Sequence, residues 1–421
     1  MKIILISNMT PYRENFNGTS ALPYHLLYRR NAGTESTNIA IDSESCDTQK
    51  EKIEVEVYSF NINRLPDEKI REAEKELGIK IHIMPLSRWF VFLFKFHLLF
   101  FRLFLKYPLH YYLKLSPFYI KEIERLHPDG IWVYGEEMSR VINQFSGLKR
   151  VHTTVDCTSL YYHRLLKSGL LYGCADRLKA KINYRKFYRL EEHYLNGKDV
   201  KYHLVGQADR DFLVDHNSEL QAYFIRHPHY EVVDSAENRE FHTSIRLLIA
   251  GQCNLYMQRD TEELVKELCL FSDVLSDGGD IRDCYELLFL GKGWEQSVEI
   301  LETSGWKVKH IRFAPDYIKE IKKHDIQLTP ISIGTGTKGK VLDAIANGLL
   351  VIGTPYALEN IAVKSGESCI EYHSTAEAID ILRKIPMERK KYEQIAEQGR
   401  EAVCRYHSRK LISEQLFNLF K

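Results

Sequence analysis

The sequence predicts an α/β protein built from two doubly wound parallel sheets. Short apolar segments of strand length alternate with helix-like segments, a pattern typical of parallel sheets covered by helices. The first series of strands is IILIS (3–7), VEVYSF (55–60), IKIHIMPL (79–86), GIWVY (130–134), RVHTTV (150–155) and KYHLV (201–205). The second series is IRLLIAG (245–251), YELLFLG (285–291), KVKHIRF (307–313), DIQLTPI (325–331) and LLVIGT (349–354). Two series of strands imply two domains.

A polar stretch with little periodicity, at residues 227–244, separates the two series. We therefore expect a first domain at residues 1–230 and a second at residues 231–421. The second domain includes a charged amphipathic helix from about residue 387 to the end. The polar stretch begins with His227 and His229, which could be proposed as metal ligands. We interpret the stretch as a linker, because no third ligand is near them. The polar residues 31–52 predict a surface loop.

Composition and charge exclude several classes of protein. The chain has 421 residues, which favours two or three domains of roughly 150 residues. Its 58 Lys and Arg against 57 Asp and Glu leave a net charge of +1, so nucleic acid is not a predicted partner. Eight cysteines without C-x-x-C spacing argue against a zinc site or a disulfide framework, and they fit reduced thiols in a cytosol.

Neither a secretory leader nor a membrane-spanning helix is predicted. The N-terminal MKIILISN has an apolar run of only four residues and no small-residue cleavage site, so it reads as a buried strand. The most apolar run, at residues 89–105, is interrupted by Lys95, His97 and Arg102, and it is short of the roughly 20 apolar residues that a span needs. We expect a cytoplasmic protein.

The glycine-rich stretch GTGTKGKVLDAIANG, residues 334–348, follows a strand and opens a helix. It contains Gly334-x-x-x-x-Gly339-Lys340, most of a phosphate loop, but Val341 stands where a Walker motif needs Ser or Thr to bind magnesium. Triphosphatase activity is therefore disfavoured. Glycines that let backbone amides approach a ligand, together with a helix N-terminus, favour phosphate binding. A tight turn with solvated lysines, or a weak surface pair of Lys340 with Asp343, remains the alternative.

The same stretch, followed by LLVIGTP, resembles the donor site of retaining glycosyltransferases of family four and its relatives. The resemblance implies the GT-B fold, two Rossmann-like domains with a cleft between them, and a nucleotide diphosphate sugar of the UDP or GDP type as donor. The family has two glutamates here. Asp343 matches the second, which binds the ribose hydroxyls, whereas Thr335 replaces the first, which contacts the sugar. Relatives with a G-T-G-x-K loop use backbone amides instead.

Three further places resemble the family. Gly18 and Thr19 match its N-terminal glycine loop, which faces the donor phosphates, although a helix N-cap is the alternative. Asp156, after the fifth strand, matches an acid that holds the acceptor or the sugar ring, and we nominate it as catalytic; a loop-capping aspartate is the alternative. Arg259 matches the cation that the family supplies to the diphosphate. The predicted donor-binding residues are Gly18, Thr19, Arg259, Thr335, Gly336, Thr337, Lys338, Lys340 and Asp343.

Sugar transfer requires stabilisation of a pyrophosphate leaving group and an oxocarbenium-like sugar, and both tasks are electrostatic. The loop dipoles with Lys338 or Lys340 would stabilise the leaving group. Since these groups supply the positive charge, no metal and no cofactor is implied. The resemblance implies retention of the anomeric configuration. A sugar-nucleotide epimerase of the same fold, or a non-catalytic nucleotide-binding assembly component, remains open as an alternative.

The segment RWFVFLFKFHLLFFRLFLKYP, residues 88–108, predicts an aromatic helix with a basic stripe. Basic residues on an apolar helix suit the surface of an anionic membrane. We therefore expect a peripheral protein on the inner face of the membrane, acting on a glycan or lipid-linked acceptor in polysaccharide or glycoconjugate assembly. The alternative is a helix packed into the first domain with a solvated basic edge. The predicted membrane contacts are Arg88, Trp89, Lys95, Arg102 and Lys106.

Overall fold

The computed structural model describes residues 1–31, 53–95, 99–194, 199–230, 232, 240–271 and 279–421. The chain divides into two compact units. The first contains residues 1–162, 175–228 and 409–421, and the second contains residues 163–174 and 229–408. The predicted surface loop, beyond its first residue, and residues 231 and 233–239 of the polar stretch lie outside the described residues.

The first unit contains a parallel sheet. Its strands are β1 (Lys2–Ser7), β2 (Glu54–Ser59), β3 (Ile81–Ile83), β4 (Gly130–Tyr134), β5 (Lys149–Val155), β6 (Val200–Leu204) and β7 (Gln221–Phe224). Within the described ranges their order is β3-β2-β1-β4-β5-β6-β7. Strand β1 pairs with β2 on one side and β4 on the other, and its residues 3–6 are fully buried. A strand covered on both faces reads as a continuous apolar run, which is why IILIS is recognisable in the sequence.

The second unit contains another parallel sheet. Its strands are β8 (Ile245–Ala250), β9 (Tyr285–Leu290), β10 (Val308–Ile311), β11 (Ile326–Thr329), β12 (Leu350–Gly353) and β13 (Ile370–Glu371). In the part of the chain that the structure describes, the order is β10-β9-β8-β11-β12-β13. The chain leaves β8 towards one edge and returns at β11 to build the other edge. The order of strands therefore reverses between β8 and β11.

Helices connect the strands of both sheets. Those before the second sheet are α1 (Ala21–Asn31), α2 (Asp67–Leu77), α3 (Arg88–Lys95), α4 (Leu99–Phe104), α5 (Pro117–Arg125), α6 (Ser139–Ile142), α7 (Thr158–Lys167), α8 (Cys174–His193) and α9 (Gln207–His216). The remaining helices are α10 (Gln258–Leu270), α11 (Glu295–Thr303), α12 (Tyr317–Ile321), α13 (Gly339–Ala346), α14 (Pro355–Leu358), α15 (Thr375–Lys384), α16 (Arg389–Tyr406) and α17 (Arg409–Asn418). Helix α7 begins in the first unit and ends in the second.

The C-terminal region is two helices rather than the one that the sequence predicts. Helix α17 groups with the first unit and not with the second domain, to which the sequence assigned it. The reason is its apolar face: Ile412, Leu416 and Phe417 are buried, and the Phe417 ring packs edge-on at 5.8 Å from that of Trp132. The Ser413 hydroxyl donates to the backbone carbonyl of Leu26 at 2.8 Å.

In the described residues, the predicted aromatic helix over residues 88–108 corresponds to helices α3 and α4, and Lys106 follows the end of α4. Residues 96–98 and the side chain of Lys95 lie outside what the structure describes. The guanidinium of Arg102 donates to the carbonyls of Leu93 and Phe94 at 2.9 and 3.2 Å. The side chain of Arg102, predicted to contact a membrane, thus binds the backbone of α3.

Two searches of the described residues concern membranes and metals. Of the described helices, none combines the length and apolar composition needed to cross a bilayer. Among the same residues, no group of three or more His, Cys, Asp or Glu side chains is arranged to hold a metal ion. His227 is buried, its Nδ1 lies 2.8 Å from the Pro228 carbonyl oxygen, and burial lowers its pKa to about 4.

Candidate functional site

Most of the sequence-predicted donor residues of the second unit lie near the carboxyl edge of its sheet. In open α/β sheets, ligands bind at this edge where the strand order reverses, here between β8 and β11. The loops that follow these two strands touch: the backbone N–H of Ser332 donates to the carbonyl of Tyr256 at 2.7 Å. The loop after β11 leads directly into the glycine-rich stretch.

The loops after β8 and β9 are packed against each other at the same edge. A Cβ on Gly291, whose φ is +145°, would lie 1.9 Å from the carbonyl oxygen of Gly251, so no other residue fits there. The indole Nε1 of the buried Trp294 donates to that same carbonyl at 2.8 Å. These contacts fix the backbone around the reversal point.

Lys338 folds back onto the loop that precedes it. Its ammonium donates to the carbonyls of Thr335 and Gly336 at 2.7 and 3.3 Å. A Cβ on Gly334 would lie 2.5 Å from the Lys338 Cε, so the glycine permits this close approach. Lys338, predicted to meet the donor phosphates, therefore has a structural partner within the loop.

Two side chains from elsewhere in the second unit bind further carbonyls of this loop. The Arg164 guanidinium donates to the Gly334 carbonyl at 2.6 Å, and the Asn360 amide donates to the Gly336 carbonyl at 2.8 Å. Three successive carbonyls of the loop thus accept hydrogen bonds from side-chain nitrogens. Because C=O and N–H point in opposite directions across a planar trans peptide, the N–H that follows each carbonyl faces away from these donors.

Helix α13 begins directly after the loop. Lys338 occupies its N-cap position, and within the described part of the chain no side chain caps the helix there. The N–H groups of Gly339 and Lys340, in the first turn, have no intrahelical partner by helix geometry. The aligned peptide dipoles add partial positive charge at this point. A loop with its carbonyls bound to side chains, joined to an uncapped helix start, is suited to an anion.

Lys340 and Asp343 lie on the first two turns of α13. The Lys340 ammonium is 5.4 Å from the centre of the Tyr317 ring. Asp343 is 6% exposed, and one of its carboxylate oxygens accepts from the backbone N–H of Tyr230 at 3.1 Å. Burial raises the pKa of Tyr317, and the Asp343 carboxylate raises it further. Asp343 therefore combines a backbone partner with a position beside Tyr317.

Arg259 lies at the start of α10, after the loop that follows β8. Its guanidinium pairs with Asp260 at 2.9 Å and lies 3.4 Å from the Ser168 carbonyl oxygen. The segment 163–174 thus contacts Arg259 through Ser168 and the glycine-rich loop through Arg164. Arg259 and the glycine-rich loop, two predicted parts of the donor site, therefore both contact residues 163–174.

In the first unit, Thr19 and Asp156 both lie close to Tyr134. The buried Tyr134 hydroxyl donates to the Thr19 carbonyl at 3.0 Å, and burial, reinforced by the Asp156 carboxylate, raises the pKa of Tyr134. Helix α1 begins at Ala21, whose N–H is bound by the Asn15 side chain at 3.1 Å. Thr19 is therefore not the residue that caps this helix.

Asp156 follows a strained turn. Val155 has φ +70°, and the N–H of Asp156 donates to the Thr154 carbonyl at 3.0 Å, which together describe a γ-turn of the rare positive-φ form. A β-branched residue in this conformation costs on the order of 1–3 kcal/mol. The register between β5 and β6 also shifts between Thr153 and Val155. Strain held this close to a predicted catalytic residue is typical of functional sites.

Three acidic side chains bind the start of α7, directly after Asp156. The N–H groups of Cys157, Thr158 and Ser159 donate to Asp209, Glu136 and Glu191 at 2.8, 3.0 and 3.0 Å. Burial raises the pKa of Glu191 to about 7. Burial, and then the Glu191 charge, raise the pKa of Glu136 well above its ordinary value.

The comparisons with known proteins begin with a family model. Residues 272–418, which include the glycine-rich loop, match the model described as Glycosyl transferase-like. The chain carries a glycosyl transferase-like domain. The loop Gly334–Lys338, helix α13 and the Asn360 amide all belong to this glycosyl transferase-like domain. Comparison with curated proteins finds no match.

Solved structures of low sequence identity share the whole architecture. Anabaena HepE in complex with UDP has a TM-score of 0.61 at 10% identity, with 99% of each chain covered. TarM has a TM-score of 0.62 at 9% identity, covering 100% of this chain and 98% of its own. Sucrose-phosphate synthase from Thermosynechococcus elongatus has 0.57 at 12%, covering 100% and 98%. The predicted GT-B fold and glycosyltransferase class are confirmed. Membership of family four stays a prediction.

Sequence reasoning missed several residues of this region. Arg164 and Asn360 bind the loop carbonyls, Tyr134 joins Thr19 to Asp156, and Glu136 and Glu191 hold the start of α7. None belongs to a local motif. Only Asn360 carries a sequence signal, since asparagine readily adopts the positive φ of +70° found there.

The acid pair predicts a specific pH dependence of stability. Glu191 holds its proton up to about pH 7 when folded but only to about 4.5 when unfolded, so the unfolded chain binds fewer protons between these values. The free energy of unfolding therefore falls as the pH rises from about 4.5 through 7. Glu191→Gln, which stays neutral, should flatten this profile and lose less stability than the unmodified protein between pH 5 and 8.

The measurement is the melting temperature between pH 5 and 8. The neighbouring exposed Glu192→Gln serves as the control and should keep the profile of the unmodified protein. A Glu191→Gln variant with the same slope as the unmodified protein would show that this carboxyl does not bind its proton more tightly in the folded state.

Proposed function

We propose that this protein transfers a sugar from a nucleotide diphosphate sugar to a hydroxyl group of a glycan or lipid-linked acceptor, with retention of anomeric configuration. The observation that carries the proposal is the glycine-rich loop, whose carbonyls are bound by Arg164, Lys338 and Asn360 and which leads into the uncapped start of α13. The leaving group of the reaction is a nucleoside diphosphate, an anion of the kind that such a structure stabilises.

Each predicted residue has a role in this proposal. The backbone amides from Thr335 to Lys340 would bind the diphosphate, with Lys338 holding the loop and Lys340 adding charge. Asp343 would accept hydrogen bonds from the ribose hydroxyls, a role that suits a carboxylate. These amides would bind the sugar in place of the acid that Thr335 replaces. No metal ion is needed, because backbone dipoles and lysines supply the positive charge.

For the first unit we propose that Asp156 acts at the reacting sugar or the acceptor hydroxyl. The γ-turn at Val155 supports this role, because strain of this size persists only where the surrounding structure holds it. Gly18 and Thr19 would face the donor phosphates, and Arg259 would add a cation. Tyr134, which contacts the Thr19 carbonyl, would keep the glycine loop and Asp156 in fixed positions.

UDP is the nucleotide that we propose first. HepE is described in complexes with UDP, with UDP and glucose, and with UDP-glucose. A variant of S. aureus TarM is described with UDP, fondaparinux and alpha-GlcNAc-glycerol. GDP is the second candidate. Turnover of a nucleotide sugar without any acceptor would indicate the epimerase alternative, and binding without turnover would indicate a non-catalytic component.

A nucleotide panel tests the donor site. The melting temperature is measured with UDP, GDP, ADP and CDP and with the corresponding triphosphates, first without metal and then with magnesium. One diphosphate at about 100 times its dissociation constant should add about 2.7 kcal/mol of stability without metal. Asp343→Ala and Lys338→Ala should each raise the dissociation constant of this nucleotide about tenfold. The first removes a charge-assisted hydrogen bond to the ribose, and the second removes one that holds the loop.

Lys323→Ala is the matched control, since Lys323 is exposed and pairs with Glu320 at the end of α12. It should bind the nucleotide as the unmodified protein does. Stabilisation only by a triphosphate with magnesium would contradict the donor site and indicate a phosphate loop of the triphosphatase kind.

A peripheral position on the inner face of an anionic membrane is a second part of the proposal. Trp89 and Phe92 on α3 are 64% and 45% exposed and stack at 5.9 Å, while Phe90 and Leu93 on the other side of the helix are buried. The end of α4 exposes Phe104, 73% accessible, and Leu103. Arg88 and Lys106 are exposed at the two ends of this region. Aromatic rings flanked by cations suit a headgroup interface.

Sedimentation with vesicles tests the membrane proposal. The unmodified protein should sediment at low salt with vesicles that contain about 30% phosphatidylglycerol, and not with pure phosphatidylcholine. Trp89→Ser with Phe92→Ser should lower the affinity for anionic vesicles more than tenfold, because the two rings that would be buried in the membrane are lost. Arg88→Glu with Lys106→Glu should do the same through charge.

Phe313→Ser, at a site 74% exposed in the second unit, is the control and should bind as the unmodified protein does. If the unmodified protein stays in the supernatant with anionic vesicles at low salt, this part of the proposal is wrong.

A further inference from the structure

Arg164 and Glu359 form an ion pair with two parallel hydrogen bonds beside the donor loop. The two guanidinium nitrogens Nη1 and Nη2 donate to the two carboxylate oxygens at 2.8 and 2.7 Å. The side chains are only 17% and 20% exposed. The guanidinium also lies 5.3 Å from the centre of the Tyr356 ring. A two-point contact of this kind fixes the orientation of the arginine as well as its position.

The oriented guanidinium makes a third contact, to the glycine-rich loop. Nη1 donates to the Gly334 carbonyl at 2.6 Å in addition to Glu359. The Gly334 carbonyl and the Thr335 N–H belong to one planar peptide, so holding the oxygen on one side directs the N–H to the other. Arg164 is therefore placed to decide which end of this peptide dipole faces outward.

The two possible orientations of this peptide have opposite consequences for a diphosphate. With the carbonyl bound to Arg164, the N–H is available as a donor for an anion. With the carbonyl turned outward, its partial negative charge would repel the same anion. Thr335 stands where the family that this loop resembles has an acid. Backbone amides would therefore contribute more of the donor binding in this chain.

We infer that Arg164 is a positioning residue of the proposed donor site: it holds the Gly334 carbonyl so that the Thr335 amide faces the diphosphate, and Glu359 orients the guanidinium for this task. The inference rests on the proposed function. Arg164 acts through the loop backbone, which distinguishes it from Lys340 and Arg259, the cations predicted to meet the diphosphate directly.

Removing the arginine alone would leave the Glu359 carboxylate unpaired, so the sharper variant removes both charges. Arg164→Met with Glu359→Gln keeps the length of the arginine's apolar stem and the size of the glutamate, and it leaves no unpaired charge. If the pair only balances charge, this variant should bind nucleotide normally. If Arg164 holds the carbonyl, the variant should bind weakly although it is well folded.

The test measures UDP affinity by calorimetry and amide hydrogen exchange of residues 333–341 in the unbound protein. For the double variant we expect a dissociation constant about tenfold higher and at least tenfold faster exchange in that peptide, with an almost unchanged melting temperature. Arg383→Met with Asp380→Asn removes another arginine pair of the second unit, 2.7 Å apart on α15, and should change neither quantity more than twofold.

Two results would overturn the inference, and they differ from failure of the proposed function. If the unmodified protein binds UDP and the double variant binds it equally well, Arg164 does not position the loop for the donor. Unchanged exchange in the double variant would show that the arginine does not hold the loop at all. If the unmodified protein binds none of UDP, GDP, ADP and CDP, the donor site itself is wrong, and the exchange rates still show whether Arg164 holds the loop.

Discussion

The proposed donor site depends on hydrogen bonds between side-chain nitrogens and three successive carbonyls of the glycine-rich loop. Arg164, Lys338 and Asn360 supply these bonds at 2.6 to 3.3 Å. A loop of glycines and threonines has little side-chain packing to fix its backbone, so its conformation must be set by such contacts. The amides of this loop and the start of α13 are the groups that we propose bind the diphosphate.

The sheet determines where this loop can act. Because the strand order reverses between β8 and β11, the loops after these strands lie where open α/β sheets bind their ligands. The contact between Ser332 and Tyr256 joins the two loops, and the close packing of Gly251 with Gly291 fixes their base. In the first unit, the strained turn at Val155 and the acids that bind the start of α7 fix Asp156 in a comparable way. In both regions, contacts to the backbone fix the conformation of the segment that carries the predicted site residues.

The sequence predicts the parallel sheets well because their central strands are buried on both faces and read as apolar runs, as IILIS at 3–7 does. It also locates the glycine-rich loop, whose signature is local. It does not reveal that Arg164 meets Gly334 and Glu359, which are 170 and 195 residues away, because no local pattern encodes a contact of that range. The same limit explains α17, which groups with the first unit, and Arg102, whose guanidinium binds a backbone carbonyl of α3.

The most direct test of the account is a crystal structure of the protein with UDP bound. The account predicts diphosphate oxygens at about 2.9 Å from the amide nitrogens of Thr335, Gly339 and Lys340. It also predicts that the Gly334 carbonyl remains bound to Arg164 and the Gly336 carbonyl to Asn360. A diphosphate bound away from this loop, or a loop whose carbonyls have turned towards the ligand, would contradict the claim that the backbone forms the donor site.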